Sequence, residues 1–307
     1  MFDWGASLRP DPVADIERLR RSRNAVILAH CYQPPEIQDL ADFVGDSLGL
    51  SRTASETECE VIVFCGVRFM AETAHILSPD KIVLQPRTDA DCSLADCMGV
   101  GELSAMKEKH PDALPVCYVN SSVEVKAESY ACCTSANALK VVDSVPSSEV
   151  VFGPDRNLGT YVSRHTDKTV HVFRGACEPH STADLADLDR KIEEWPEAEV
   201  MVHPETPPDF WDRADAVTGT GGMVEWVEAS RAERFLVGTE KGMVYRLQTL
   251  FPERSFREAG GILCRDMKLI DLEHVASSLG DLEPRIEIDE ALRKKARESV
   301  ERMVELT

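Results

Sequence analysis

The apolar positions of this chain fall in short runs rich in Val, Ile and Leu, separated by longer stretches of amphipathic, helix-like spacing. AVILAHCYQ, VIVFCG, ALPVCYVNS, SEVVFGP, AEVMVHPE and ERFLVGTEKG are such runs, and each ends in polar residues or glycine. Short apolar runs without alternation between inside and outside are the pattern of strands buried on both faces, and helical segments between them cover a parallel sheet. The pattern predicts an α/β fold. Ligands of such open sheets sit beyond the carboxyl ends of the strands, which is where the polar residues of these runs fall.

The runs recur in a fixed order. AVILAHCYQ, DFVGDSLGLS and EVIVFCGVRFMAET are followed by ALPVCYVNS, YACCTSANALK and SEVVFGPDRNLGTYV, and then by AEVMVHPE, DAVTGTGGMVEW and ERFLVGTEKGMVYRL. Tyr32, Tyr118 and His203 are spaced by 86 and 85 residues, Ser47, Ser135 and Thr220 by 88 and 85, and Gly66, Gly153 and Gly238 by 87 and 85. A cysteine follows each third run: Cys92, Cys177 and Cys264, spaced by 85 and 87. One unit has been used three times. The repeat predicts three similar αβα sandwich domains, built on parallel sheets and related by a pseudo-threefold axis, over residues 1–91, 92–176 and 177–267, with an active site at their junction. Residues 268–307 start no fourth unit and are assigned as helices joined to the first. Asp289 predicts the cap of a last helix, with Leu292, Ala296, Val300, Met303 and Val304 on the face that docks on the body.

Composition narrows the function. At 307 residues and 43% hydrophobic content the chain can bury several modest cores. No apolar stretch approaches a membrane span, and the first thirty residues lack the pattern of a signal peptide, so a cytoplasmic protein is expected. A formal charge of −20 argues against a nucleic-acid partner. An anionic ligand would have to be held locally, by oriented N–H groups, hydroxyls, histidines or a metal. Ten cysteines without a secretory signal are not a disulfide framework. Cys65 and Cys117 lie inside apolar runs and read as small buried hydrophobes, and Cys97, Cys132 and Cys133 as bystander thiols.

Three cysteines more than eighty residues apart do not match a zinc finger or ribbon, whose ligands come in close pairs. They suit a cubane cluster with one iron free of protein ligands, able to act as a Lewis acid. Cys177 and His180 spell a C-x-x-H half-site for zinc that lacks its other half. Ser47, Ser135 and Thr220 stand where strands give way to helices. Singly each reads as an N-cap, and together they read as anion holders at helix N-termini. The run Thr218–Gly222 lacks the spacing of a dinucleotide fingerprint. At the first-strand ends, His30, Tyr32, Tyr118, Asn120, His203 and Glu205 supply donors, acceptors and titratable groups suited to acid and base work in a dry pocket.

The segments AHCYQPPEIQDLADFVGDSLGLS, VIVFCGVRFMAET, CSLADC, YVNSSVEVKA, CCTSANALKVV, GPDRNLG, CEPH, VHPE, FLVGTEKG and CRDMK resemble the quinolinate synthases in order and spacing, over essentially the whole chain. The resemblance implies three αβα sandwiches about a pseudo-threefold axis. It implies condensation of iminosuccinate (iminoaspartate) with dihydroxyacetone phosphate to give quinolinate, phosphate and water, feeding NAD biosynthesis, with functional coupling to the enzyme that supplies the imine. It implies a [4Fe-4S] cluster on Cys92, Cys177 and Cys264. By the same resemblance His30, Ser47, Tyr118, Asn120, Ser135, His203, Glu205 and Thr220 hold substrate. Glu205, Tyr32, Tyr118 and His30 are the implied catalytic groups, with Glu205 and the two tyrosines foremost in proton transfer. The chain departs from the family pattern at Cys31, where Asn is usual, at Gly219, where Ser is usual, and in CRDMK, which replaces Cys-Pro-Asn-Met. The alternatives are another three-cysteine [4Fe-4S] enzyme, with radical or reductive dehydroxylation chemistry, a non-catalytic iron–sulfur redox sensor, and a zinc-stabilised structural protein.

Overall fold

Every residue of the run Ala25–His30 is buried, and this run forms the first strand, β1. In the computed structural model, which describes residues 12–306, it pairs with β2 (Phe43–Gly45) on one side and β3 (Val61–Cys65) on the other, and β4 (Ile82–Leu84) completes the sheet. The second sheet is built in the same way from β5 (Leu114–Tyr118), β6 (Ala131–Cys133), β7 (Glu149–Gly153) and β8 (Thr169–Val172). The third comprises β9 (Glu199–Val202), β10 (Ala216–Val217), β11 (Arg234–Gly238) and β12 (Ser255–Glu258). Residues 1–11, part of the first unit and of the segment read as lacking a signal peptide, lie outside the described residues.

All strand pairings are parallel, and all three sheets have the order second, first, third, fourth. The chain leaves the first strand of each sheet in one direction and returns across it to the third. That reversal opens a crevice at the carboxyl ends of the two central strands. The α/β architecture of three similar sandwiches is the one the sequence pattern predicts.

Bonds outside the sheets repeat as well. Lys81 donates to the carbonyls of Thr57 and Cys59, Lys168 to those of Val145 and Ser147, and Arg254 to that of Val227. Each cation lies just before or at the fourth strand of its sheet and neutralises carbonyls at or near the end of the helix after the second strand, where the helix dipole is negative. Asp42 and Asp215 likewise each accept from a first-strand amide, Ile27 and Val200, both at 2.8 Å.

The core follows the two-residue period of the strands. In β9 and β11, Met201, Phe235 and Val237 join the large core shared with the first two sheets, whereas Val200, Val202 and Leu236 pack into a separate core with Leu188, Phe210, Trp211 and Ala259. At the chain's end, Ile286 donates to the carbonyl of Val83 at 2.8 Å and so covers the edge strand β4. Asp289 caps the helix Glu290–Glu305 by accepting from Ala291 and Leu292, both at 3.0 Å. That helix buries Ala296, Ser299, Val300 and Met303, with Leu292 and Val304 partly buried, against β6 and the helices Val123–Ala127 and Arg68–Leu77. It therefore bridges the first two units. Among the described residues no helix is long and apolar enough to cross a membrane.

Candidate active site

The carboxyl ends of the three central strands open on one cavity of about 560 Å³. His30, Tyr32, Ser47, Tyr118, Asn120, Ser135, His203, Glu205 and Thr220 all line it, together with Cys92, Cys177 and Cys264. The position of each follows from the fold: His30 ends β1, Tyr118 ends β5, and His203 and Glu205 come directly after β9.

Glu205 is 3% exposed. Its Oε2 lies 3.0 Å from His180 Nδ1 and 3.2 Å from His203 Nδ1. Burial alone would push the carboxyl up, but the two imidazoles outweigh it and hold Glu205 below the usual carboxylate range. The group is ionised at neutral pH. Its Oε1 is buried without a hydrogen-bond partner, as is Asn120 Oδ1. Both are acceptors aimed at a cavity with polar walls, the arrangement expected where a ligand completes the bonding.

Burial dominates the other titratable groups. It lowers His30 to about 3, reinforced by the Lys268 ammonium and His203, so that ring is neutral. His203 is also lowered by burial, against the pull of Glu205. Burial pushes Tyr32 and Tyr118 well above the ordinary phenol value, with Glu205 adding to the shift. Both phenols are proton donors at neutral pH. A hydrogen-bonded path joins one of them to the carboxylate: Tyr32 Oη is 2.5 Å from Thr239 Oγ1, Thr239 Oγ1 is 2.8 Å from His180 Nε2, and His180 Nδ1 reaches Glu205.

The hydroxyl turns differ from simple caps. Asp46, not Ser47, caps the helix Ser47–Glu56, accepting from Gly49 at 2.8 Å. Gly219 is the cap position before Thr220, and Asn137 the cap after Ser135. Ser47 and Thr220 are therefore the first residues of ten-residue helices, beside unpaired amides and on the cavity wall. Ser135 Oγ lies 3.1 Å from His203 Nε2. A Cβ on Gly219 would sit 2.5 Å from that same Oγ, so glycine here lets the two turns meet.

The three cysteines share a local geometry. Each precedes a short helical turn, at Ala95–Cys97, Glu178–Ser181 and Asp266–Lys268. The backbone amide three residues on, that of Ala95, His180 or Met267, favours the thiolate of each. Burial raises Cys92 to about 12, Cys264 to about 11 and Cys177 well above the ordinary thiol value. As thiolates they therefore call for a positively charged partner. Buried carboxylates fix two of these loops. Asp155 Oδ2 accepts from the Cys177 amide at 2.9 Å and is itself raised to about 7, by burial first and Glu205 second. Glu240 accepts from the Gly242 amide at 2.7 Å. Glu240 also pairs with Lys268, which donates to the Tyr32 carbonyl and so ties the third cysteine loop to the first unit.

His180 and Thr239 belong to this site although sequence reasoning gave neither a role in it. The half-site read at Cys177 and His180 has a third member, because Cys177 Sγ, a His180 nitrogen and a Glu205 oxygen lie within 4.8 Å of one another. The available signal was positional. Ala95, His180 and Met267 each stand three residues after a cysteine, and only the second carries a titratable side chain.

Comparison with known proteins agrees along the length of the chain. Residues 14–305 match the family described as "NadA: Quinolinate synthetase A protein". The "Quinolinate synthase" of Geotalea uraniireducens (strain Rf4) is 46% identical over 291 residues, covering 94% of this chain and 96% of that protein. The "Quinolinate synthase" of Desulforudis audaxviator (strain MP104C) is 48% identical over 296 residues, covering 96% and 98%. "Quinolinate synthase 2" of Methanosarcina acetivorans is 45% identical over 294 residues, covering 95% of each. The chain belongs to the quinolinate synthase family of enzymes.

Proposed function

We propose that this protein condenses iminosuccinate with dihydroxyacetone phosphate to form quinolinate, phosphate and water, with a [4Fe-4S] cluster on Cys92, Cys177 and Cys264, in the cytoplasm. The observation that carries the reading is the meeting, in one cavity, of the three cysteines that follow the three sheets with an ionised carboxylate held between two imidazoles. The donor set suits the cluster: three part-buried cysteines, each at the start of a short helical turn, two of them on loops held by buried carboxylates. An iron of such a cluster without a cysteine ligand supplies Lewis acidity toward a hydroxyl or carboxylate oxygen.

The residues of the chain supply the rest. His203 Nε2 donates to Ser135 Oγ at 3.1 Å and so orients the serine hydroxyl to donate to one substrate carboxylate. Ser47 and Thr220 offer hydroxyls and helix N-terminal amides to a second anionic group. Glu205 is the base for protons next to the carbonyl and imine carbons, and His180 and Thr239 carry a proton between it and the Tyr32 phenol. Tyr118 is a second phenolic donor on the cavity wall.

The test is anaerobic purification, then incubation with both substrates and detection of quinolinate, comparing wild type with Cys177→Ser. Brown, iron-loaded wild type that makes quinolinate, and a variant that loses both colour and product, are expected. A fully loaded wild type that makes no quinolinate would overturn the reading.

A further inference from the structure

Outside the central cavity, His110, Glu149 and His171 bring two imidazoles and a carboxylate together, with one ligand atom from each within 4.8 Å of the others. None of them lines the cavity. Each is placed by the fold of the second unit. Glu149 is the first residue of β7, and β8 pairs in a register that sets His171 beside Val151. Residues 149 and 151 share a face of the sheet, so Glu149 and His171 are diagonal neighbours on it. His171 Nε2 lies 2.8 Å from Glu149 Oε2. His110 is the C-cap residue of the helix Val100–Lys109, and the loop after it is tied to the sheet by a 2.7 Å bond from Ser147 Oγ to the Asp112 carbonyl. Its ring stacks on that of His171, with centroids 3.5 Å apart and planes 17° from parallel, so one ring must turn for both nitrogens to meet a single ion.

We propose that His110, Glu149 and His171 form a second metal site, one that takes a borderline divalent ion of the zinc type. Two imidazole nitrogens with one carboxylate oxygen select Zn²⁺, Ni²⁺, Co²⁺ or Cu²⁺ over the hard ions Mg²⁺ and Ca²⁺, which prefer all-oxygen shells. Three protein ligands leave at least one position for water. The Glu149 carboxylate offsets charge on the ion, and the chain's net charge of −20 favours a cation against the nearby Lys109 ammonium. All three ligands are half-buried, so the site exchanges with solvent. A bound ion would link three points of the second unit: the end of a helix, the start of β7 and the edge strand β8. It acts there as a reversible staple, remote from the cluster and the substrate.

Anaerobically purified, cluster-loaded protein is dialysed against Zn²⁺ and the bound zinc counted per chain, for wild type, His110→Ala and His171→Ala. One zinc beyond the cluster metal is expected in wild type, with affinity lowered about tenfold or more in either histidine variant. Quinolinate formation by the histidine variants is expected to be unchanged. Zinc is expected to raise the thermal midpoint of wild type by a few degrees, about the size ligand linkage gives for a chain of this length. X-ray absorption at the zinc edge of wild type needs no variant and should show nitrogen and oxygen neighbours without sulfur. Binding that survives both histidine substitutions, a sulfur in the zinc shell, or no bound zinc would each overturn the proposal.

Discussion

Gly219→Ala inserts one carbon between two hydroxyl turns of the site. The added Cβ would lie 2.5 Å from Ser135 Oγ and 3.3 Å from both Ser135 Cβ and Ala136 N. The backbone contacts are tight but tolerable, whereas the hydroxyl contact is not, so Ser135 is expected to rotate away. Rotation breaks the 3.1 Å contact with His203 Nε2. Stability is little affected, because the cavity's solvent can re-pair both groups. The oriented donor for substrate is lost, and a net hydrogen bond of about 1 kcal/mol corresponds to a KM raised about fivefold, or about tenfold if the bond is charge-assisted. Because the contacts of Glu205 with both imidazoles are kept, kcat should change by less than about threefold. Steady-state quinolinate formation by the anaerobic, cluster-loaded enzyme, with the imine substrate varied, measures both constants. An unchanged KM, or a fall confined to kcat, would refute the claim that Ser135 and His203 act together on substrate. The same geometry bears on Gly219→Ser: the new side chain meets Ser135 before it meets a ligand, and KM should rise rather than fall.

Two further substitutions probe buried charge. Glu205→Gln keeps the shape but removes the base, and kcat should drop by about 10²- to 10⁴-fold while the iron content stays at the wild-type level; activity within about tenfold of wild type would move the base elsewhere. Lys126, fully buried with its Nζ 3.2 Å from the Phe69 carbonyl and 3.0 Å from Thr73 Oγ1, has its pKa lowered by burial. The folded state therefore binds this proton less readily than the unfolded chain, so the penalty is full below the folded pKa and fades as pH rises toward the unfolded value of about 10.4. Lys126→Met should match or exceed wild-type stability at pH 7 by about 1 kcal/mol and lose that advantage in alkali. Urea midpoints at pH 7 and pH 9.5 decide, and a variant weaker at pH 7 by more than about 2 kcal/mol would mean the ammonium's bonds outweigh its desolvation.

The strands were legible because burial on both faces leaves uninterrupted Val, Ile and Leu runs, and the tripling was legible because side chains recur at strand ends. The cavity lining was legible for the same reason. Relations between side chain and backbone were not. Lys81, Lys168 and Arg254 perform one task in three units, yet the third is a different residue type and no hydrophobic pattern marks any of them. Ser47, Ser135 and Thr220 look like caps in the sequence, because only coordinates reveal that Asp46, Asn137 and Gly219 hold the cap positions. His180 read as half of a zinc site because its partners, Glu205 and Thr239, lie 25 and 59 residues further along the chain. The last helix read as part of the first unit, since an amphipathic face does not say which groove it fills, and it lies across two.

A threefold frame and a substrate without threefold symmetry make opposite demands on this cavity. The frame is what brings the three cysteines, one after each sheet, to the wall of one cavity, and all three duly lead into the same kind of short helical turn. The chemistry needs positions that differ. At the first-strand ends the three copies carry Tyr32, Tyr118 and His203, and two residues on they carry Pro34, Asn120 and Glu205. Three residues after the cysteines they carry Ala95, His180 and Met267. The carboxylate comes from the third unit alone, and the imidazoles that lower its pKa come from positions where the other copies have a phenol, a methyl group or a thioether. Repetition therefore accounts for where the sulfurs meet, and divergence at three equivalent positions accounts for the buried carboxylate, its two imidazoles and the bonded path from them to Tyr32.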